Sequence, residues 1–145
     1  MEIQTIGFAG KTAEAFFTAL KGAGTRRVID VRLKNTSQLA AFAKKKDLPF
    51  FLEAIVGATY VHAPFLAPTR ELLKGFRNRD IPWEDYAERF KALLVDREVE
   101  KEIPRFWFAD PAALLCSENK PDHCHRRLVA EYLAGRWGDA TIVHL

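Results

Sequence analysis

The chain has 145 residues, of which 48% are hydrophobic and 28% are charged, and its formal net charge is +3. This length suits one domain with a buried core, expected to span residues 1–145. No low-complexity tract, signal-peptide pattern or bilayer-length apolar run occurs, which argues against a fibrous, secreted or membrane protein. We therefore expect a cytoplasmic protein with no membrane partner.

The two cysteines and the net charge indicate the state of the thiols and the kind of binding partner. Two cysteines in such a chain are more typical of thiols than of a disulfide framework. The mildly positive charge permits a phosphate-bearing partner, either a small molecule or a nucleic acid, but does not require one.

Five short apolar runs predict β-strands, and helical segments separate them. The strands are expected at residues 3–6, 28–31, 59–62, 112–116 and 141–144. Strands that alternate with helices are typical of parallel sheets. The sequence therefore predicts an α/β fold, a single domain with a mostly parallel central sheet of about five strands flanked by helices.

Apolar spacing and capping residues predict the helices. Thr12 should cap the first, and Gly57 should end a helix that starts near Asp47. The clearest amphipathic helix runs from Trp83 to Leu94, with a further helical segment continuing to about residue 103. The last helix should follow Asp122 and end at Gly135. Residues 68–80 are polar and basic, and we expect a loop with a helical turn or two.

The stretch from Leu114 to Arg127 is the least generic part of the chain, since it holds both cysteines and two of the four histidines. Its pattern predicts a strand, then a polar loop, then the N-terminus of a helix. Such a junction presents backbone N–H groups and a positive dipole end to an anion. Arg126 and Arg127 would add guanidinium donors.

Titratable side chains collect where the predicted strands end. Ligands of open parallel sheets bind beside this edge, so we predict one cleft there. Its expected catalytic residues are Cys116, Glu118, His125 and Asp30, and its expected substrate-binding residues are Arg32, Arg126, His62, Tyr60 and Cys124. As a surface-cleft residue, Arg126 should bind the anion and contribute little to packing.

Structural interpretations compete with these roles. Asp30 could simply pair with Arg32 or cap a neighbouring helix. His62 could be a half-buried strand histidine, and Cys124 could pack on the apolar stripe of the last helix. Cys116, at a strand end beside a helix N-terminus, is the better candidate for a reactive thiol.

The cysteines and histidines of this stretch also raise the question of zinc. Structural zinc sites usually combine two spaced ligand pairs, and only one cluster exists here, so we predict no cofactor. A catalytic zinc held by two cysteines, one histidine and a water is a minor alternative. A Cys116–Cys124 redox pair is another, although the spacing is not Cys-x-x-Cys.

Several of these stretches together resemble the family called "domain of unknown function 488". The matching pieces are Thr5-Ile6-Gly7, Asp30-Val31-Arg32, Tyr60-Val61-His62-Ala63-Pro64, and Leu114-Leu115-Cys116-Ser117-Glu118 with Cys124-His125-Arg126. Phe8-Ala9 and Leu66-Ala67-Pro68 depart from the family pattern. The resemblance implies a compact α/β domain with its motif residues grouped, and it implies no established reaction. A weaker likeness to rhodaneses fails because the interval from Cys116 to Arg126 is too long.

The expected function is that of a small enzyme with an anion-binding cleft for a nucleotide, a nucleic acid or another phosphate-bearing substrate. A hydrolase or transferase using the cysteine, glutamate, histidine and arginine cluster would fit. The alternatives are a thiol- or metal-dependent redox protein and a non-catalytic nucleic-acid-binding module. The module would use Lys44–Lys46, Arg70, Arg77 and Arg79 as phosphate contacts.

Overall fold

A five-stranded parallel sheet forms the centre of the protein, and the computed structural model describes all 145 residues. The strands are β1 (Glu2–Gly7), β2 (Arg27–Asp30), β3 (Thr59–His62), β4 (Ala112–Cys116) and β5 (Thr141–His144). Their order across the sheet is β3-β2-β4-β1-β5. The predicted α/β fold and its five strands are confirmed, and every strand pair is parallel.

Six α-helices connect and flank the strands. They are α1 (Ala13–Gly22), α2 (Leu48–Phe51), α3 (Arg70–Arg77), α4 (Trp83–Asp96), α5 (Val99–Glu102) and α6 (His125–Trp137). Short 3-10 turns cover Gln38–Ala43, Pro64–Leu66 and Arg105–Phe108, and a π-helical turn, Leu52–Val56, extends α2. None of the helices has the length and apolar character needed to cross a membrane.

The sheet separates two hydrophobic layers. On one face, Ile6 and Val28 pack with Phe16 and Leu20 of α1. On the other face, α4 and α6 pack on strand residues such as Leu114. Side chains alternate between the faces of a strand, so successive residues of β2 and β4 face opposite layers. This alternation decides which polar side chains can meet.

Local sequence signals account for several helix ends. The Thr12 hydroxyl accepts a hydrogen bond from the backbone N–H of Ala15 at 3.1 Å, the N-cap contact predicted for α1. Gly57 ends the segment that starts with α2 and has φ 73°, a left-handed conformation that glycine adopts readily.

Three helix predictions were wrong in detail. Residues 68–80 contain α3, a regular helix of eight residues, where a loop with a helical turn or two was predicted. Helix α6 continues through Gly135 and ends at Trp137, where Gly138 with φ 76° caps it. The helical segment predicted to continue to residue 103 is interrupted, since Glu98 is left-handed at φ 48° before the short helix α5.

The strand order creates a crevice between β2 and β4. From β2 the chain continues to β3, toward one edge of the sheet. From β4 it continues to β5, toward the opposite edge. Neighbouring strands whose connections diverge leave an opening at their carboxyl ends, which is where open α/β sheets bind ligands. Residues that follow Asp30 and Cys116 therefore flank a natural binding position.

Candidate active site

A cavity of about 320 Å³ opens at the carboxyl ends of β2 and β4. Five of its eleven lining residues are basic and none is acidic; the basic ones are Arg32, Lys34, Arg70, Lys74 and Arg77. Apart from Arg32, none of these side chains belongs to a salt bridge. Four uncompensated cations around one concave surface produce a positive field that attracts anions.

Cys116 and His125 meet at the floor of this cavity. Cys116 is the last residue of β4 and His125 is the first residue of α6, and both are buried. Cys116 Sγ lies 3.7 Å from His125 Nδ1. His125 Nε2 lies 2.8 Å from the carbonyl oxygen of Val31, so this nitrogen carries the hydrogen and donates it. In the neutral ring Nδ1 is therefore the unprotonated nitrogen, and the sulfur, which lies 3.9 Å from Nε2 as well, contacts the ring close to it.

Burial and neighbouring groups set the protonation of this cluster. Burial lowers the pKa of His125, which favours the neutral imidazole. The adjacent Cys124 thiol and the N–H groups of Ser117 and Glu118 hold the pKa of Cys116 below its ordinary value, against the opposing effect of burial. The hydrogen bond with Cys116, together with burial, raises the pKa of Cys124. Of the two thiols, Cys116 ionises more easily.

Contacts between the loops that follow β1 and β4 fix the position of Cys116. The backbone N–H of Ala9 donates to the carbonyl oxygen of Ser117 at 2.9 Å. Lys11 Nζ bridges the two loops, since it donates to the carbonyl oxygen of Gly7 at 2.8 Å and to Asn119 Oδ1 at 2.7 Å. At Gly7 the two loops approach so closely that a Cβ atom would collide with the carbonyl group of Glu118.

Arg126 stabilises these loops from inside the protein. Its side chain is fully buried, with Nε 3.3 Å from Thr5 Oγ1. Its two terminal nitrogens donate to the carbonyl oxygens of Glu118 and Asn119. The expectation that Arg126 lies in the surface cleft and contributes little to packing was wrong. Its donor nitrogens serve the loop after β4 and the Thr5 hydroxyl, and Arg126 does not line the cavity.

Asp30 forms a buried ion pair with Arg32, as the structural interpretation anticipated. Arg32 Nε and Nη2 donate to the two carboxylate oxygens at 2.9 and 2.8 Å. The Tyr60 hydroxyl donates to Asp30 Oδ2 at 2.6 Å, and Asn35 Nδ2 donates to the same oxygen at 3.2 Å. Burial alone would raise the pKa of Asp30, but the hydrogen bonds and charge of Arg32 lower it overall. Tyr60 has its pKa raised by burial and by the same carboxylate.

This ion pair has a positioning role toward the cavity. Val28 packs in the α1 layer, so by alternation Asp30 faces that layer too, while Cys116 packs with the α4 and α6 layer. The structure therefore does not bring Asp30 to Cys116 and His125. Arg32, held by Asp30, lines the cavity.

The other predicted site residues lie around the cavity and do not line it. His62 Nε2 lies 2.8 Å from the carbonyl oxygen of Arg32 and so supports the loop after β2. Glu118 is exposed on the loop after β4 and lines neighbouring cavities. Cys124 is buried beside Cys116 and lines a small adjoining cavity of about 40 Å³. Of the nine predicted residues, Arg32, Cys116 and His125 line the main cavity.

Helix α3 supplies cavity residues that were not predicted as part of the catalytic cleft. Arg70, Lys74 and Arg77 recur at intervals of three and four, which places them on one side of a helix. Arg70 and Arg77 had been considered as contacts of a nucleic-acid-binding surface. Two signals for this helix were available: the capping residue Thr69, whose hydroxyl accepts from the N–H of Leu72 at 3.2 Å, and the helical spacing of Leu72 and Phe76.

Comparison with known proteins gives one match. The family model described as "Domain of unknown function DUF488" matches residues 12–133, which include β2 to β4 and the Cys116–Arg126 segment. No curated protein and no solved structure matched the chain. Since the matched segment covers well over half of the 145 residues, the resemblance seen in the sequence is confirmed and the protein belongs to the DUF488 family.

Proposed function

We propose that this protein is an enzyme, a hydrolase or transferase, that acts on a nucleotide, a nucleic acid or another phosphate-bearing substrate. The observation that carries the proposal is the cavity itself, where a thiol and an imidazole meet beneath four uncompensated cations. A structural cysteine needs no such surroundings, whereas a thiol that reacts with an anionic substrate does.

Anion binding is the part of the proposal that rests on charge. Arg70, Lys74 and Arg77 lie on α3 at one side of the cavity, with Lys34 also in the lining. Arginine and lysine side chains of this kind donate charge-assisted hydrogen bonds to phosphate oxygens. Arg32 lines the same surface, but Asp30 neutralises its guanidinium, so it shapes the cavity wall and the four other cations supply the free charge.

The chemical step follows from the contact between Cys116 and His125. The neutral imidazole accepts the thiol proton at Nδ1, and the sulfur attacks the electrophilic atom of the bound substrate. A bond to sulfur forms, and the bond to the leaving group breaks. The leaving group takes the electron pair, with a proton returned by His125. Water, or a second acceptor molecule, then attacks the same atom and gives its proton to His125, and the departing Cys116 sulfur takes that proton back.

The location proposed for this chemistry is the cytoplasm. Both cysteines are free thiols in the structure. Reducing compartments keep thiols in that form, and a reactive cysteine depends on it.

Phosphate binding tests the charge argument. Isothermal titration with inorganic phosphate should show Arg77→Ala and Lys74→Ala each weakening binding about tenfold or more, since a hydrogen bond to a charged group contributes about 1.5–3 kcal/mol. Lys91→Ala is the matched control, because Lys91 is exposed on α4 outside the cavity. Equal losses in all three variants would instead indicate a diffuse surface effect and a non-catalytic nucleic-acid-binding module.

The thiol role is tested separately. Incubation with a panel of phosphorylated compounds, including nucleotides and short oligonucleotides, should yield a covalent adduct on Cys116 that intact-protein mass spectrometry detects. Cys116→Ala should bind phosphate normally and form neither adduct nor product. Turnover retained by Cys116→Ala would show that the sulfur is not the nucleophile.

A further inference from the structure

Three potential metal ligands converge beneath the cavity floor. The sulfur atoms of Cys116 and Cys124 and a ring nitrogen of His125 all lie within 4.8 Å of one another, and the three residues are buried. His123, which precedes Cys124, is not part of this group. Its ring is exposed and stacks on Trp83 with centroids 4.9 Å apart.

The tautomer of His125 suits metal coordination. Its Nε2–H donates to the carbonyl oxygen of Val31 at 2.8 Å, which leaves Nδ1 unprotonated and able to bind a metal. Zinc-binding histidines usually make such a hydrogen bond with their second nitrogen. Tetrahedral zinc, with Zn–S about 2.3 Å and Zn–N about 2.0 Å, separates a sulfur and a nitrogen ligand by about 3.5 Å. Cys116 Sγ lies 3.7 Å from His125 Nδ1 and 3.9 Å from Nε2, so the two ligands are close to the required separation and the imidazole would turn to aim Nδ1 at the metal.

The chemistry and placement of the ligands indicate which ion would bind. Two thiolates and one imidazole are soft donors that suit zinc, and calcium or magnesium would require oxygen ligands. Cys116 and His125 line the main cavity, and all three residues line the small adjoining cavity. A fourth coordination position would therefore face open space, which distinguishes reactive zinc sites from closed structural ones.

We propose that Cys116, Cys124 and His125 form a zinc site, and that zinc binding and the thiol reaction of Cys116 exclude each other. The second half rests on the proposed function. One Zn²⁺ replaces the two thiol protons, which are released to solvent, and the resulting unit of two thiolates and a neutral imidazole carries no net charge. The lone pair with which Cys116 would attack a substrate is then bonded to the metal.

Zinc binding can be measured directly on untagged, phosphine-reduced protein. After incubation with Zn²⁺ and dialysis, elemental analysis should find one zinc per chain. Co²⁺ in place of zinc should give the sulfur-to-cobalt charge-transfer absorption of thiolate ligation. Cys124→Ser should weaken zinc binding by more than about 100-fold, beyond the cost of losing a residue that only supports a ligand. His123→Ala, the matched control from the same segment, should keep full affinity.

Two further measurements separate this proposal from the proposed function. Zinc should protect Cys116 from iodoacetamide in the wild type but not in Cys124→Ser. That variant should still bind inorganic phosphate, because Cys124 does not line the main cavity. Failure to retain zinc, or equal zinc affinity in Cys124→Ser and the wild type, would overturn the site. Unchanged alkylation in the zinc-loaded protein would overturn the mutual exclusion. Zinc binding without any phosphate binding would leave the site standing and defeat the proposed function.

Discussion

Gly7→Ala should disrupt the candidate site through one steric contact. A Cβ atom on residue 7 would lie 1.6 Å from the carbonyl oxygen of Glu118 and 3.0 Å from Arg126 Nη1. Close carbon–oxygen contacts in proteins are about 3.3 Å, so the loop after β4 would have to move by about 1.7 Å. That movement breaks the hydrogen bond from Arg126 to Glu118 and displaces the backbone next to Cys116.

The cost of Gly7→Ala can be estimated from these two effects. Overpacking of a close contact typically costs about 1–3 kcal/mol. Loss of one hydrogen bond from a charged donor costs about 1.5–3 kcal/mol more. We therefore expect the free energy of unfolding to fall by about 2.5–6 kcal/mol, a large part of the stability of a domain of this size.

Urea unfolding followed by tryptophan fluorescence measures this loss. Gly135→Ala is the control, because residue 135 lies inside α6 and an added methyl group there would meet no atom within 4 Å. The same substitution at that position should stabilise the protein by about 0.5–1 kcal/mol. If Gly7→Ala costs less than about 1 kcal/mol, the close approach of the two loops is not as described. The same result would remove the argument that Gly7 positions Cys116.

Three other predictions concern stability. Phe90 is fully buried against His125, so Phe90→Ala should lower the free energy of unfolding in urea by about 3–5 kcal/mol. The control is Leu39→Ala, at a residue that is 95% exposed, which should change it by no more than about 0.5 kcal/mol. Arg126→Ala should lower the free energy of unfolding by about 3–5 kcal/mol. Arg126→Lys should have an intermediate effect, because lysine lacks the planar guanidinium group. An unchanged stability of Arg126→Ala would contradict the buried role of this side chain. The lowered pKa of Asp30 stabilises the fold above the ordinary value of 3.8, and this contribution should disappear as pH falls through the lowered pKa. The free energy of unfolding of Asp30→Asn, measured by urea unfolding at a series of pH values, should therefore fall less in the acid range than that of the wild type.

The sequence was sufficient for the sheet because each strand is a short apolar run between turn residues. It was insufficient for α3, an eight-residue helix in which Leu72 is buried, Leu73 and Phe76 are half-buried, and four of the eight residues are charged. Apolar periodicity detects a helix by repetition over several turns, and this two-turn helix offers only three apolar positions among its charged residues. At Gly135 the sequence predicted a helix end where the helix continues. An exposed glycine inside a packed helix lowers its stability by only about 1 kcal/mol, so it need not end the helix.

Arg126 shows how a signal can be present and still be missed. Val129, Ala130 and Leu133 are buried residues of α6, and they lie three, four and seven positions after Arg126. The arginine therefore occupies the buried stripe of the helix, as its helical spacing from these residues implies. Its charge suggested a surface position, but the carbonyl groups of the loop after β4 and the Thr5 hydroxyl satisfy its donors inside the protein.

The charged side chains around the cavity fall into two groups, those with internal hydrogen-bond partners and those without. This difference bears on substrate specificity. Arg32 and Arg126, which belong to the motif segments of the family, are fixed by Asp30 and by backbone carbonyls. Their hydrogen bonds hold the floor of the cavity in place. The cations of α3 have no acidic partner and are exposed. A bound anion gains most from donors that lose no internal partner, so under the proposed function α3 should decide which anionic substrate binds, while Arg32 and Arg126 hold the cavity floor.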